Sequence, residues 1–210
     1  MFSNKRVLLV EAHPDDLVWG CGGTLAKFKE AEKRFQSQFQ AITFTSCEED
    51  PLNKGILQEN REALNFLGVT DILRPRAFDR RTLYLHAQEI RDTLHRIKKE
   101  YCPEVVFSVS PSDLHQDHSI VGECCKTIFR ESTHFTYPIL RSLGTYFKPM
   151  CFVVLSKEQM TMKLKALSMF KTQYRRPYFK KKVVLSEATY YGTQINAEYA
   201  EAFEIMELIV

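Results

Sequence analysis

The chain opens on a short apolar run, Val7-Leu8-Leu9-Val10, which follows Lys5-Arg6 and gives way to a polar stretch. A continuous apolar run of this length is the pattern of a strand covered on both faces. Residues 5–11 are therefore expected as a first strand and residues 39–45 as a second. The β-branched and aromatic positions of 103–109 predict a third. Between these runs the period changes to three and four. Helices are expected at 24–34, at 57–67 with Gly68 as a stop, and at 87–99 with Ile90, Leu94 and Ile97 on one face. The Gly20-Cys21-Gly22-Gly23 segment is expected ahead of the first of these helices as a place of close backbone packing, and a further helix is expected after His118. The last third predicts a strand at 152–155, helices at 158–170 and 183–191, and a strand or short helix at 203–210.

Alternating strands and helices imply an α/β fold: a three-layer, Rossmann-like, mostly parallel sheet with helices on both faces and a C-terminal elaboration. With 210 residues, 44% of them hydrophobic, and no repeat or linker, residues 1–210 read as one domain. In such sheets ligands gather beyond the carboxyl ends of the strands.

Two polar clusters fall at such ends. The first is His13-Pro14-Asp15-Asp16 and the second His115-Gln116-Asp117-His118. His13 and Asp16 are three residues apart across a stiffening proline, and with His118 they make two imidazoles and one carboxylate. That is the donor set of catalytic zinc, or of non-haem iron, with a position left for water. Asp15 is left over as a general base for that water. His115 is near enough to polarise a carbonyl or stabilise its oxyanion, and later to protonate a leaving amine, with Asp117 holding its ring in the useful tautomer. The plainer alternative is that Asp15 and Asp16 cap the next helix. His86, His95 and His134 read as surface or hydrogen-bonded histidines.

Charge and cysteine usage narrow the setting. Against 29 basic residues stand 26 acidic ones, so the net charge of +3 gives no overall field for nucleic acid. The basic residues cluster as Arg74, Arg76, Arg80 and Arg81, and as Arg175, Arg176 and Lys180 to Lys182. Were Arg80 or Arg81 and the Arg175-Arg176 pair to line a pocket mouth, a phosphorylated or nucleotide-linked substrate would be preferred; a solvated face is the alternative. Six cysteines without a CxxC pair fit reduced thiols. Neither a signal-type apolar region nor a run of about 20 apolar residues is present, so a cytoplasmic protein without a transmembrane segment is expected. Homo-oligomerisation is left open.

Ala12-His13-Pro14-Asp15-Asp16 with Gly22-Gly23-Thr24, and Asp113-Leu114-His115-Gln116-Asp117-His118, resemble the paired motifs of the LmbE-like, or PIG-L-like, zinc-dependent N-deacetylases. Phe152 to Ser156, Lys163, Ala166-Leu167, Gln173, Gly192 and Ala200-Glu201-Ala202-Phe203 are similar to that family's C-terminal signatures. The resemblance implies zinc, with iron as the alternative, at His13, Asp16 and His118, a general base at Asp15, and a histidine with its carboxylate partner at His115 and Asp117. It implies removal of the N-acetyl group from an N-acetylglucosamine-type sugar, and the likeness is greatest to members from bacterial polysaccharide or nonulosonic-acid loci. Tyr191 stands before Gly192 where many members have arginine. Two other readings stay open: a non-haem iron oxygenase, disfavoured by the strand–helix alternation, and a sugar- or metal-binding protein of the same fold without catalysis, disfavoured by the presence of both Asp15 and His115.

Overall fold

The structure is a computed structural model and describes residues 3–31, 36–75 and 78–209. Arg76 and the end of the helix expected at 24–34 lie outside the described residues. In chain order the elements are β1 (Arg6–Glu11), α1 (Asp16–Glu30), β2 (Gln38–Thr43), α2 (Ile56–Phe66), β3 (Asp71–Leu73), α3 (Ala87–Tyr101), β4 (Val105–Val109), α4 (Gln116–Ile128), β5 (Thr133–Tyr137), β6 (Cys151–Leu155), α5 (Lys157–Leu167), α6 (Lys181–Gln194) and β7 (Tyr199–Glu207).

One seven-stranded sheet runs in the order β3-β2-β1-β4-β5-β7-β6. The first five strands are mutually parallel, and β7 is antiparallel to both β5 and β6. The expected α/β architecture is thus present, and the C-terminal elaboration extends the same sheet. Helices α1 and α5 pack together, α2 also touches α5, and α3 packs on α4. The order reverses at β1, whose neighbours are β2 and β4, so right-handed crossovers to the two sides lay helices on opposite faces. The crevice at that reversal opens beyond the carboxyl ends of β1 and β4, where the two polar clusters sit.

Three elements differ from expectation. Helix α1 begins at Asp16, so the glycine segment is helix interior. The reason is steric. A Cβ on Gly20 would lie 2.2 Å from the Tyr137 ring, and one on Gly23 would lie 2.4 Å from the Leu155 side chain. Glycine here lets a helix approach the sheet closely, and its cost in helix propensity is outweighed by packing. Strands β3 and β5 were not expected. β5 reads Thr-His-Phe-Thr-Tyr and is buried at every position. Several of its polar groups find partners on neighbouring strands: His134 Nε2 is 2.8 Å from Ser108 Oγ, and Thr136 Oγ1 donates to Glu204 at 3.1 Å. Residues 199–207 resolve the strand-or-helix alternative as a strand.

The N-terminal half of the crevice is tied to the C-terminal strands by a buried carboxylate. Glu201 Oε1 accepts from Gly23 N at 2.8 Å and from Lys163 Nζ at 2.6 Å, while its Oε2 accepts from Thr24 N at 2.7 Å and Thr24 Oγ1 at 2.6 Å. One side chain thereby joins α1, α5 and β7. Tyr191 is buried behind this junction, in a small space with Trp19, Lys163 and Glu187.

Candidate active site

The loop after β1 is shaped by its own polar groups. Glu11, fully buried at the end of β1, accepts from Leu17 N at 3.1 Å, Thr43 Oγ1 at 2.7 Å and Asn60 Nδ2 at 2.9 Å. Asn60 also donates to the Pro14 carbonyl. Asp16 Oδ2 accepts the His13 backbone N–H at 2.8 Å, closing the turn on itself. Asp15 occupies the position before α1 yet makes no side-chain capping bond, so its carboxylate is free to line the crevice.

The loop after β4 is closed in the same manner. Asp113 Oδ1 accepts His115 N at 2.8 Å, and His115 Nδ1 accepts Asp117 N at 3.2 Å at the start of α4. That bond leaves the proton of a neutral His115 ring on Nε2.

Both loops converge on one point. His13 Nδ1 lies 3.0 Å from His118 Nε2; Asp16 Oδ2 is 3.4 Å from the former and Asp16 Oδ1 is 3.3 Å from the latter. Tetrahedral donors about 2.0–2.1 Å from an ion stand about 3.3–3.4 Å apart, so the spacing fits a bound cation. His13, His115 and His118 also bring one ring nitrogen each within 4.8 Å of one another, a cluster able to hold a metal ion. The far nitrogens of two of these rings are each faced by a carboxylate. His13 Nε2 is 3.0 Å from Asp117 Oδ2, and His118 Nδ1 is 3.1 Å from Asp113 Oδ2. Carboxylates in this position fix the tautomer of a metal-binding imidazole and raise its basicity.

Asp117 was expected to hold His115, but its carboxylate is 4.0 Å from His115 Nδ1 and sits instead on His13. Asp113, for which the sequence suggested no role, is the partner of His118. Its position two residues before His115, beyond the end of a strand, is the signal that could have found it. Of the expected substrate contacts, Arg80 lines the crevice and approaches Asp50 at 3.6 Å, whereas Arg81 turns to Asp79. His86 bonds Glu89 at 2.8 Å, away from this cluster.

The electrostatics suit a cation. Burial opposes charge on His13, but Asp16 and Asp117 overcome it and raise the ring to about 9. For His118, burial is likewise overcome by Asp16 and Asp113, which lift it to about 10. Burial opposes ionisation of Asp16, yet the two histidines hold it far below the usual carboxylate range. Burial and the charge of Asp16 push Asp15 up to about 6, against the pull of His13 and Arg176. Burial and the charges of His13 and His118 depress His115 to about 4. With His13 Nδ1 and His118 Nε2 3.0 Å apart, only one proton fits between the two rings, and Asp16 beside both nitrogens favours keeping it at neutral pH when no metal is bound. Loading with a divalent ion at pH 7 is expected to release about one proton, and the number should fall at alkaline pH. Titration calorimetry in buffers of different ionisation enthalpy counts the protons; release of none at pH 7 would contradict a site built on these rings.

The crevice holds a cavity of about 330 Å³ whose lining includes His13, Asp15, His115 and His118 together with Trp19, Tyr178, Arg141 and Arg176. Its size is at the small end of the roughly 300–1,000 Å³ of small-molecule sites. Among the described residues no helix is long and apolar enough to cross a membrane.

Residues 8–129 match the family model described as PIG-L, GlcNAc-PI de-N-acetylase. The uncharacterized deacetylase YaiS of Escherichia coli K12 is 29% identical over 180 residues, covering 81% of this chain and 94% of its own. Among solved structures, the N,N'-diacetylchitobiose deacetylase of Pyrococcus horikoshii superposes with a TM-score of 0.79 at 24% identity, over 96% of this chain and 83% of that one. The conserved protein TT1542 of Thermus thermophilus superposes with a TM-score of 0.80 at 24% identity, over 98% and 97% of the two chains.

Proposed function

The chain belongs to the PIG-L family, and from that membership we propose that residues 1–210 form one metal-dependent hydrolase domain that removes the N-acetyl group from an N-acetylglucosamine-type amino sugar. The observation that carries this reading is the convergence of His13, Asp16 and His118 with two groups, Asp15 and His115, that are not needed to hold an ion. His13, Asp16 and His118 are the proposed ligands, and zinc the proposed metal, with iron as the alternative. A divalent ion held there would supply a Lewis acid for the amide carbonyl and would acidify a water molecule.

Each remaining residue has a separate task. Asp15 takes the proton of the attacking water as the C–O bond forms. His115, kept neutral, donates from Nε2 to the oxygen that becomes negative in the tetrahedral adduct. When the C–N bond breaks, Asp15 returns its proton to the departing nitrogen, so acetate and the free amine leave. The sequence had suggested His115 for this last proton. Its depressed pKa, set by burial and two neighbouring histidines, favours Asp15 for the transfer. Asp117 and Asp113 keep His13 and His118 oriented. All six cysteines are free thiols, which supports a cytoplasmic setting.

The test is a screen of N-acetylated amino sugars with metal-loaded protein, reading acetate and free amine together. Equimolar release is the expected outcome, and His115→Ala should lower kcat far more than it changes KM, because its contact is made chiefly in the transition state. Oxygen consumption without acetate would move the protein to the iron oxygenase reading. Tight sugar binding without turnover would leave a binding protein.

A further inference from the structure

The cationic side chains around the crevice are unequally compensated. Arg80 and Arg175 both approach Asp50, at 3.6 and 3.8 Å, and Arg175 also bonds Asn53 at 3.2 Å. Arg81 is paired with Asp79; Arg74 donates to Asn60 at 2.8 Å and to the Leu57 carbonyl at 3.1 Å, and its buried Nη1, though unpartnered, does not line the cavity. Arg141 and Arg176 line the cavity itself, neither has a carboxylate within 4.0 Å among the described residues, and Arg176 Nε is buried without a hydrogen-bond partner. A buried guanidinium donor left unpaired is costly, so its presence in a cavity wall marks a place that a ligand atom completes.

The two side chains come from different parts of the chain and meet on one aromatic ring. Arg141 lies in the helical turn Leu140–Ser142 after β5, and Arg176 directly precedes the turn Pro177–Phe179. Their guanidinium carbons stand 5.2 and 6.0 Å from the centroid of Tyr178, whose ring is held edge-on against Trp19 at 6.0 Å. All four residues line the same cavity as His13, Asp15 and His115. Planar guanidinium groups braced on aromatic faces are suited to bidentate recognition of phosphate or carboxylate.

We propose that Arg141 and Arg176, with Tyr178 between them, form a binding site for an oxyanion carried by the sugar substrate, a phosphate or a carboxylate attached close to the ring. The inference rests on the deacetylase reading and deepens it. The substrate is an anionic N-acetylated amino sugar, small enough for the sugar and its charged group to share one cavity of about 330 Å³. Arg141 and Arg176 are then specificity residues rather than parts of the hydrolytic machinery.

The experiment compares metal-loaded protein on N-acetylglucosamine 1-phosphate, the carboxymethyl glycoside of N-acetylglucosamine and the neutral methyl glycoside. At least one anionic sugar should exceed the methyl glycoside in kcat/KM by about 10- to 100-fold, the range of one charge-assisted contact, and mainly through KM. Which anion wins identifies the group. Arg141→Gln and Arg176→Gln should each reduce that advantage by about tenfold or more, whereas Arg130→Gln, an exposed charge bonded to the Thr127 carbonyl, should not. Equal turnover of all three sugars by the native protein would overturn the site and leave the deacetylase reading intact. A fall with Arg176→Gln that was the same for neutral and charged sugars would also overturn it, assigning that residue to the support of Asp15. If no sugar released acetate, the deacetylase reading would fail, and calorimetric binding would still decide the site. Glucosamine 1-phosphate should then bind at least tenfold more tightly than methyl glucosaminide and lose that margin in Arg141→Gln; equal binding would refute it.

Discussion

Replacing Asp15 with asparagine is expected to leave metal content unchanged while turnover falls by roughly 10²–10⁴-fold, the usual contribution of a positioned general base. His118→Ala should do the reverse in the first respect and lose most of the bound metal. The contrast follows from placement. His118 is buried with Nε2 among the other donors and Nδ1 held 3.1 Å from Asp113, so alanine removes a donor already oriented toward the ion. Asp15 makes no capping bond to α1 and faces the cavity, and asparagine matches its shape without its basicity. Elemental analysis of the purified variants, with rates of acetate release, separates the two roles. Were Asp15→Asn to purify free of metal while His118→Ala remained fully loaded, ligand and base would have to be exchanged.

The second large effect concerns stability. Glu201→Ala should cost about 3–5 kcal/mol, because it takes the ion-pair partner from an interior Lys163 ammonium, on which Glu187 acts only at longer range. Both side chains of the pair are only 4% exposed. For a chain of this length the loss corresponds to roughly 2–4 °C in Tm per kcal/mol. The double change Lys163→Met with Glu201→Leu should recover most of the loss by replacing two charges with packed apolar groups. Urea or thermal unfolding of the single and double variants measures it. A double variant no more stable than Glu201→Ala would show that the carboxylate's bonds to α1, and not the stranded ammonium, dominate.

What could be read from the sequence followed a physical division. The strands β1 and β4 announce themselves because they are mostly apolar runs, β2 by the mixed stretch of Phe39, Ala41 and Ile42 between polar residues, and α3 because Ile90, Leu94 and Ile97 repeat at helical spacing. β5 was hidden because its polar residues find their partners far along the chain, His134 at Ser108, Thr136 at Glu204 and Thr133 at the Ile209 carbonyl, which local pattern cannot see. The first two turns of α1 were hidden for a related reason: their glycines answer to the Tyr137 ring and the Leu155 side chain far along the chain. In the site, the histidines and aspartates were visible as short motifs at strand ends. Their pairing was not. That Asp117 faces His13 rather than His115 depends on how two loops cross in space, and the separation of Arg141 and Arg176 from the compensated arginines depends on where Asp50 and Asp79 fall.

The Glu201 junction also bears on how the molecule assembles in time. Its bonds to Gly23 and Thr24 close chain separations of 178 and 177 residues, and β7, which carries it, must find β5 across the intervening turns, β6, α5 and α6. Contacts of such range bring their stabilisation only after a large loop entropy has been lost, so they form late and slow the whole reaction. The loop that bears His13, Asp15 and Asp16 leads directly into α1, so although Glu11 and α5 already hold that helix, its final restraint arrives only when the last strand docks. A nascent chain lacking that strand would carry every metal-site residue and lack the tie between α1 and β7. Completion of the frame around the site is thus tied to the end of folding.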